Sequence, residues 1–189
     1  MRHSMKSRLM VSGQARRESQ VGDERACVPF GDAQFRGLAW RQPKLLHQYF
    51  ELRSERGLHL TLRTTDIWGK RWTARGDRLE WELRSTWTSA VVLTVQGSDA
   101  PLLDFRPGWW RNGHVETAKG ESLRWRQAGL RRFELATEDG SPLVTLSRTG
   151  WFRFAAAVEL SEAARSRADL APLAGLTLRL LLAARRHAG

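Results

Sequence analysis

The sequence has a single cysteine, Cys27, among 189 residues. No intrachain disulfide can form, which fits a reducing compartment. Long apolar runs are missing as well. The longest, Leu170 to Ala184, has 15 residues and is broken by Arg179, whereas a membrane-spanning helix needs roughly 20. Met1 to Met10 is basic, but no apolar stretch of signal-peptide length follows it, so no cleaved leader is expected. Chemical motifs are equally scarce. The five histidines, His3, His47, His59, His114 and His187, show no metal-ligand spacing. There is no phosphate-cradling glycine loop and no Gly-x-Ser-x-Gly elbow. Cys27 lies in a polar, irregular stretch with no fixed base beside it, a poor setting for a nucleophile. A non-enzymatic protein with no cofactor and no metal is the expectation.

What the chain does have is positive charge and an internal repeat. Thirty-one Lys and Arg stand against twenty Asp and Glu, a net charge of +11, which favours anionic partners. Apolar residues at 41% and charged residues at 27% suit a globular domain. Residues 1–34, rich in Arg, Ser, Gly and Gln without periodicity, read as a disordered basic tail. Residues 35–189 read as one domain.

Leu-x-Trp occurs three times, at Leu38/Trp40, Leu79/Trp81 and Leu123/Trp125, with tryptophan spacings of 41 and 44. Phe50-Glu51-Leu52 recurs as Phe133-Glu134-Leu135. A turn follows in each unit, then a short apolar strand ending in Arg63, Arg106 or Arg148, spaced 43 and 42 apart. An aromatic segment comes next: Trp68, then Trp109-Trp110, then Trp151-Phe152. Shared spacing of independent landmarks marks a structural repeat. Each unit reads as four strands; in the second these are Arg78 to Arg84, Ala90 to Val95, Leu102 to Arg106 and His114 to Ala118.

Three units of four give about twelve strands. Propellers typically need at least four blades, whereas a mainly β, closed antiparallel barrel removes every exposed edge. Roughly eight strands enclose a lumen that side chains alone can fill, so twelve require an occupant. The segment 169–186 supplies one. Asp169 is a candidate N-cap and Pro172 falls in the first turn. Leucines from Leu170 to Leu182 surround the helix axis, and a helix apolar all round is buried all round. Arg185 and Arg186 suit its C-terminal end. Arg179 is expected to reach a barrel mouth with its head in water.

Leu38-Ala39-Trp40-Arg41-Gln42-Pro43, followed by Phe50-Glu51-Leu52-Arg53, and the leucine-rich segment Asp169 to Arg186 resemble the tubby C-terminal-like superfamily. That superfamily includes phospholipid scramblases and the LURP-one-related proteins, and the resemblance is strongest to short bacterial members of unknown function. It covers roughly residues 36 to 187 and implies twelve strands around a central hydrophobic helix. Tubby domains bind phosphoinositides through basic residues on the barrel, but none of those positions can be carried over to this chain. The cysteine-rich stretch and the acidic calcium-binding segment of scramblases have no counterpart here, so calcium-dependent scrambling is not expected.

Asp66, Asp77, Asp99 and Asp139 fall in expected turns and read as turn residues. The nine tryptophans lie within the repeat, and their recurrence in register favours core positions. Beside arginine, exposed tryptophans could instead stack bases or grip phosphates. Trp109-Trp110, read as part of a strand, would put one ring on each face. Basic groups recur beside the aromatic segments, giving Lys70, Arg71, Trp110, Arg111, Arg131, Arg132 and Arg153 as candidate anion- or headgroup-binding residues. A plain solvated surface is the simpler alternative. The functional expectation is a cytoplasmic binding or scaffold domain, peripheral at the membrane, that docks on anionic lipid headgroups. Nucleic-acid binding and a protein-interaction module are the alternatives.

Overall fold

The structure, a computed structural model, describes residues 27–30, 36–45, 47–77, 79–109, 112–150 and 153–186. Twelve strands are found among them. The first four are β1 (Ala39–Arg41), β2 (Tyr49–Ser54), β3 (Gly57–Thr64) and β4 (Arg71–Arg75). The second unit has β5 (Glu80–Ser85), β6 (Val91–Val95), β7 (Pro101–Pro107) and β8 (Gly113–Thr117). The third has β9 (Ser122–Gln127), β10 (Arg132–Thr137), β11 (Pro142–Arg148) and β12 (Ala155–Leu160). Each strand pairs antiparallel with the next, and β1 pairs with β12 to close the barrel.

The repeat is visible in the packing. Trp40, Trp81 and Trp125, the three landmark tryptophans, are all buried in the core. The sheet register slips once per unit, after Leu52, after Leu93 and after Leu135, positions 41 and 42 residues apart. Such bulges bend a strand and raise its twist, so each unit curves the sheet at the same place and three together help to close it. Alternation puts apolar side chains inward and charged ones outward. Outward pairs such as Glu51–Arg53 at 2.6 Å, Glu82–Arg84 at 2.9 Å and Arg126–Glu134 at 2.8 Å ring the wall. That is the reverse of a membrane-spanning barrel, whose outer band is apolar.

After β12 comes the short helix α1 (Glu162–Arg165), capped by Ser161, whose hydroxyl accepts the Ala164 N–H. The long helix α2 (Leu170–Arg186) follows. From Pro172 to Leu181 it is buried without a break, as its all-round leucines require. Asp169 precedes α2 and its carbonyl accepts the Leu173 N–H. Its carboxylate turns to Arg167, at 2.8 and 2.9 Å. Arg167 also donates twice to Glu121 in the β8–β9 loop, at 2.9 and 2.6 Å. The bonds to Asp169 and Glu121 push the Arg167 pKa further up, and the cluster clasps the start of α2 to the barrel. No described helix is long and apolar enough to cross a membrane.

Of the expected tail, residues 1–26 and 31–34 lie outside the described residues. Cys27–Phe30 lie against the wall: the Val28 N–H donates to the Leu58 carbonyl at 2.6 Å. Val28 O lies 3.0 Å from His59 Nδ1, and Ser54 Oγ lies 2.7 Å from His59 Nε2. Since a carbonyl only accepts, Nδ1 carries the proton and Nε2 accepts from the serine. Burial lowers the His59 pKa, outweighing the Val28 bond, so the neutral ring is the folded form.

Unfolding free energy should therefore fall as pH drops below the ordinary histidine value of about 6.5, because the unfolded state takes up the proton first. His59→Gln should flatten that slope in denaturant titrations. Two glycines separate crowding from propensity. A Cβ on Gly113 would collide with the Phe105 ring and the Arg106 carbonyl, so Gly113→Ala should cost roughly 1–3 kcal/mol. A Cβ on Gly175 would meet Ala74 and Leu60 at an ordinary 3.5 and 3.6 Å. Gly175→Ala in α2 should raise stability by up to about 1 kcal/mol, read as a higher denaturant midpoint.

Candidate functional site

Up-and-down topology sorts the loops into two sets. Those joining β1–β2, β3–β4, β5–β6, β7–β8, β9–β10 and β11–β12 lie at one end, the mouth; the rest lie at the base. Because β12 ends at the base, α2 enters there and its last turns emerge at the mouth. Lys70, Arg71, Arg131, Arg132 and Arg153 all belong to mouth loops or to the first residues of strands leaving them. Trp110 and Arg111 lie between β7 and β8, outside the described residues.

The two ends differ in charge. The six mouth loops contain one carboxylate, Asp66, beside Lys44, Lys70, Arg111, Arg131 and Arg153. In sequence, the base loops between strands contain six carboxylates, Glu55, Asp77, Asp99, Glu121, Glu138 and Asp139, against three cations, Arg56, Arg78 and Lys119. Asp66 is itself engaged, since its carboxylate accepts the Lys70 and Arg71 N–H groups at 2.8 and 3.0 Å. Asp139 likewise accepts from Thr137 and Ser141. Both are turn residues, as their positions suggest.

Two clefts open at the mouth beside the last turns of α2. One, of about 450 Å³, is lined by Phe105, Pro107, Asn112, Trp125, Leu180 and Ala184. The other, of about 190 Å³, is lined by Leu130, Phe133 and Leu181 together with Arg131, Arg148 and Arg185. A backbone bond of 2.9 Å from Arg148 to Arg131 holds these two neighbours together. Arg131 was a candidate from the sequence. Arg148 stands there only as a repeat landmark and Arg185 only as a helix-end cation; the convergence of the three depends on how the helix sits in the lumen. Arg132, by contrast, points outward and donates to Glu134 at 3.1 Å.

The tryptophans divide. Trp40, Trp72, Trp81 and Trp125 are buried, whereas Trp68, Trp87 and Trp109 are exposed. The expectation that Trp109-Trp110 straddles a strand is not met at Trp109, because β7 ends at Pro107 and Trp109 occupies the following loop. Lys70 reaches across to Trp87, with Nζ 3.2 Å from the ring centroid.

Arg179 reaches towards the mouth end as expected but departs from expectation in its surroundings. Its guanidinium is buried, not wet. It donates to Ser85 Oγ at 2.7 Å and to the Gly69 carbonyl at 3.5 Å, and it lies 5.6 Å from the Trp72 ring centroid. The same carbonyl accepts the Trp72 indole N–H at 2.9 Å. The helix is thus tied to the loop that carries Trp68 and Lys70. Among the described residues, no three His, Cys, Asp or Glu converge as metal ligands. Burial pushes the Cys27 thiol pKa up, which disfavours the reactive thiolate.

Comparison with protein-family models, with curated proteins and with solved structures finds no match.

Arg179→Ala should lower the unfolding free energy by about 3 kcal/mol, through lost charged hydrogen bonds and an emptied stem. Arg179→Met keeps most of the volume without the charge and should cost less. Urea denaturation of the two variants tests the order.

Proposed function

We propose that this protein is a non-enzymatic docking domain whose barrel mouth binds anionic lipid headgroups. The observation that carries this reading is the charge difference between the two ends. A net positive mouth opposite a net negative base orients a protein before contact, and each Lys or Arg near an anionic membrane surface contributes about 1 kcal/mol. The cleft formed by Arg131, Arg148 and Arg185 is of a size to receive a phosphate group, which guanidinium donors suit. The basic groups surround a circular opening, whereas a nucleic-acid strand tracks along a groove; this favours headgroups over nucleic acid. Within this reading the chain is a tubby C-terminal-like protein, on the strength of twelve antiparallel strands around a buried C-terminal helix. A cytoplasmic location, peripheral at the membrane, follows from the same proposal.

The test is co-sedimentation of the full chain with vesicles of phosphatidylcholine alone or with phosphatidylserine, at low and moderate salt. Binding should require phosphatidylserine and weaken with salt. Arg131→Glu together with Arg185→Glu should weaken it by well over tenfold, from about 1 kcal/mol lost per cation removed and added repulsion. A folded protein that ignores anionic vesicles overturns the proposal.

A further inference from the structure

Seven large apolar side chains are exposed among the described residues, and six of them stand on mouth loops: Leu45, Ile67, Trp68, Trp87, Trp109 and Leu130. Only Leu79 lies at the base. Single exposed apolar residues are ordinary on any surface, but a concentration at one end is not. Their exposure is extreme: 75% for Trp68, 91% for Trp87, 84% for Trp109 and 91% for Leu130.

The loops hold these side chains out. Asp66 closes the β3–β4 loop beneath Ile67 and Trp68, as described above. In the β5–β6 loop the Thr86 N–H donates to the Ala90 carbonyl at 2.9 Å and the Ser89 N–H to the Thr86 carbonyl at 3.2 Å; Trp87 forms the tip. In the β7–β8 loop the Gly108 N–H donates to the Asn112 carbonyl at 2.8 Å, and the Asn112 N–H to the Trp109 carbonyl at 3.1 Å. Asn112 Oδ1 in turn accepts the Gln127 N–H at 3.3 Å. Leu130 caps a loop whose Gly129 carbonyl accepts from Gln127 Nε2 at 3.0 Å. The tryptophans therefore stand exposed on loops closed by hydrogen bonds.

We infer that the mouth inserts into the membrane: Ile67, Trp68, Trp87, Trp109 and Leu130 enter the interfacial layer of an anionic bilayer together. This rests on the headgroup reading of the same end and adds an orientation and a depth. A bilayer is the occupant because tryptophan interleaved with lysine and arginine is the composition of a membrane interface. The Lys70–Trp87 contact joins an apolar ring to a cation in one unit. Asp66 is the one carboxylate in these loops, and the cations beside it outnumber its charge. The apolar tips come from five different mouth loops and are interleaved in sequence with polar and basic residues, unlike the continuous dry patch typical of a protein interface core. Depth is limited by the wall, where Glu82–Arg84 and Asp104–Arg106 pairs begin. Only the loops enter, to the shallow depth of about 5–10 Å reached by interfacial helices.

The test uses the full chain with phosphatidylcholine–phosphatidylserine vesicles in which a share of the phosphatidylcholine is brominated on its acyl chains. Tryptophan fluorescence should be quenched on binding, a readout that needs no variant. Trp68→Ala, Trp87→Ala and Trp109→Ala combined should keep the unfolding midpoint, remove much of the quenching and weaken binding at least about tenfold. Binding without quenching, unchanged in the triple variant, overturns insertion and leaves charge docking intact. Quenching on pure phosphatidylcholine, insensitive to Arg131→Glu and Arg185→Glu, supports insertion and overturns the headgroup reading. No binding to any vesicle overturns both.

Discussion

A twelve-stranded barrel is too wide for its own side chains to fill, and the rest of this structure depends on how that space is occupied. Helix α2 fills it, buried through Pro172 to Leu181. An empty lumen would forfeit the dispersion contacts of the inward leucines and tryptophans, and a wet one would expose them. The helix and the wall therefore stabilise each other, and neither is a self-sufficient unit. Placement follows from connectivity: β12 ends at the base, so the helix enters at the base. The Arg167 cluster with Glu121 and Asp169 holds that end. Arg179, bonded to Ser85 and Gly69, holds the helix further along. The terminal turn then emerges among the mouth loops, bringing Arg185 to Arg131 and Arg148.

Much of this was legible because barrels repeat. Trp40, Trp81 and Trp125 share a register in sequence because they share an inward position in a curved wall, and the equivalent bulges after Leu52, Leu93 and Leu135 keep the units in phase. The lumen argument then identified the leucine-rich terminal segment as the occupant. What escaped the sequence depended on distant partners. A lone arginine in an apolar helix reads as a side chain reaching for water, whereas Arg179 finds Ser85 and Gly69, 94 and 110 residues away. The exposed tryptophans were hidden by the opposite problem, since composition does not separate a core ring from a loop tip. Position relative to the landmarks helps only in part: Trp68, Trp87 and Trp109 lie outside the Leu-x-Trp register, but so does the buried Trp72. The recurrence of basic residues beside aromatic segments was visible from the start. Its meaning was not, because only alternation of strand direction assigns all three segments to one end.

The same alternation explains how charge and exposed aromatic rings can concentrate at one end without disturbing the fold. The wall residues are committed inward to packing and outward to ion pairs, which leaves the loops as the variable part. Loops at the base contain most of the turn carboxylates, while those at the mouth hold more of the loop cations and the exposed aromatic rings. Packing cannot account for this difference, since both sets join the same strands by short turns. Arginine-rich composition alone accounts for cations at both ends, and the base loops do contain Arg56, Arg78 and Lys119; it does not account for carboxylates gathered at the base or exposed rings gathered at the mouth.

The clefts at the mouth also constrain what kind of contact the protein can make. They lie against the final turns of α2 and stop where the helix fills the lumen, so a ligand meets a shallow surface and not an internal cavity. A surface of this shape suits shallow contacts: charge that attracts from a distance, rings that enter a few ångströms, and arginines that close on a phosphate. Enclosed chemistry would require the helix to move, exposing its leucines and breaking the Arg167 and Arg179 bonds together. Keeping the helix in place keeps the mouth loops in place, and a ring of side chains can meet a bilayer simultaneously only if its loops share one rigid frame.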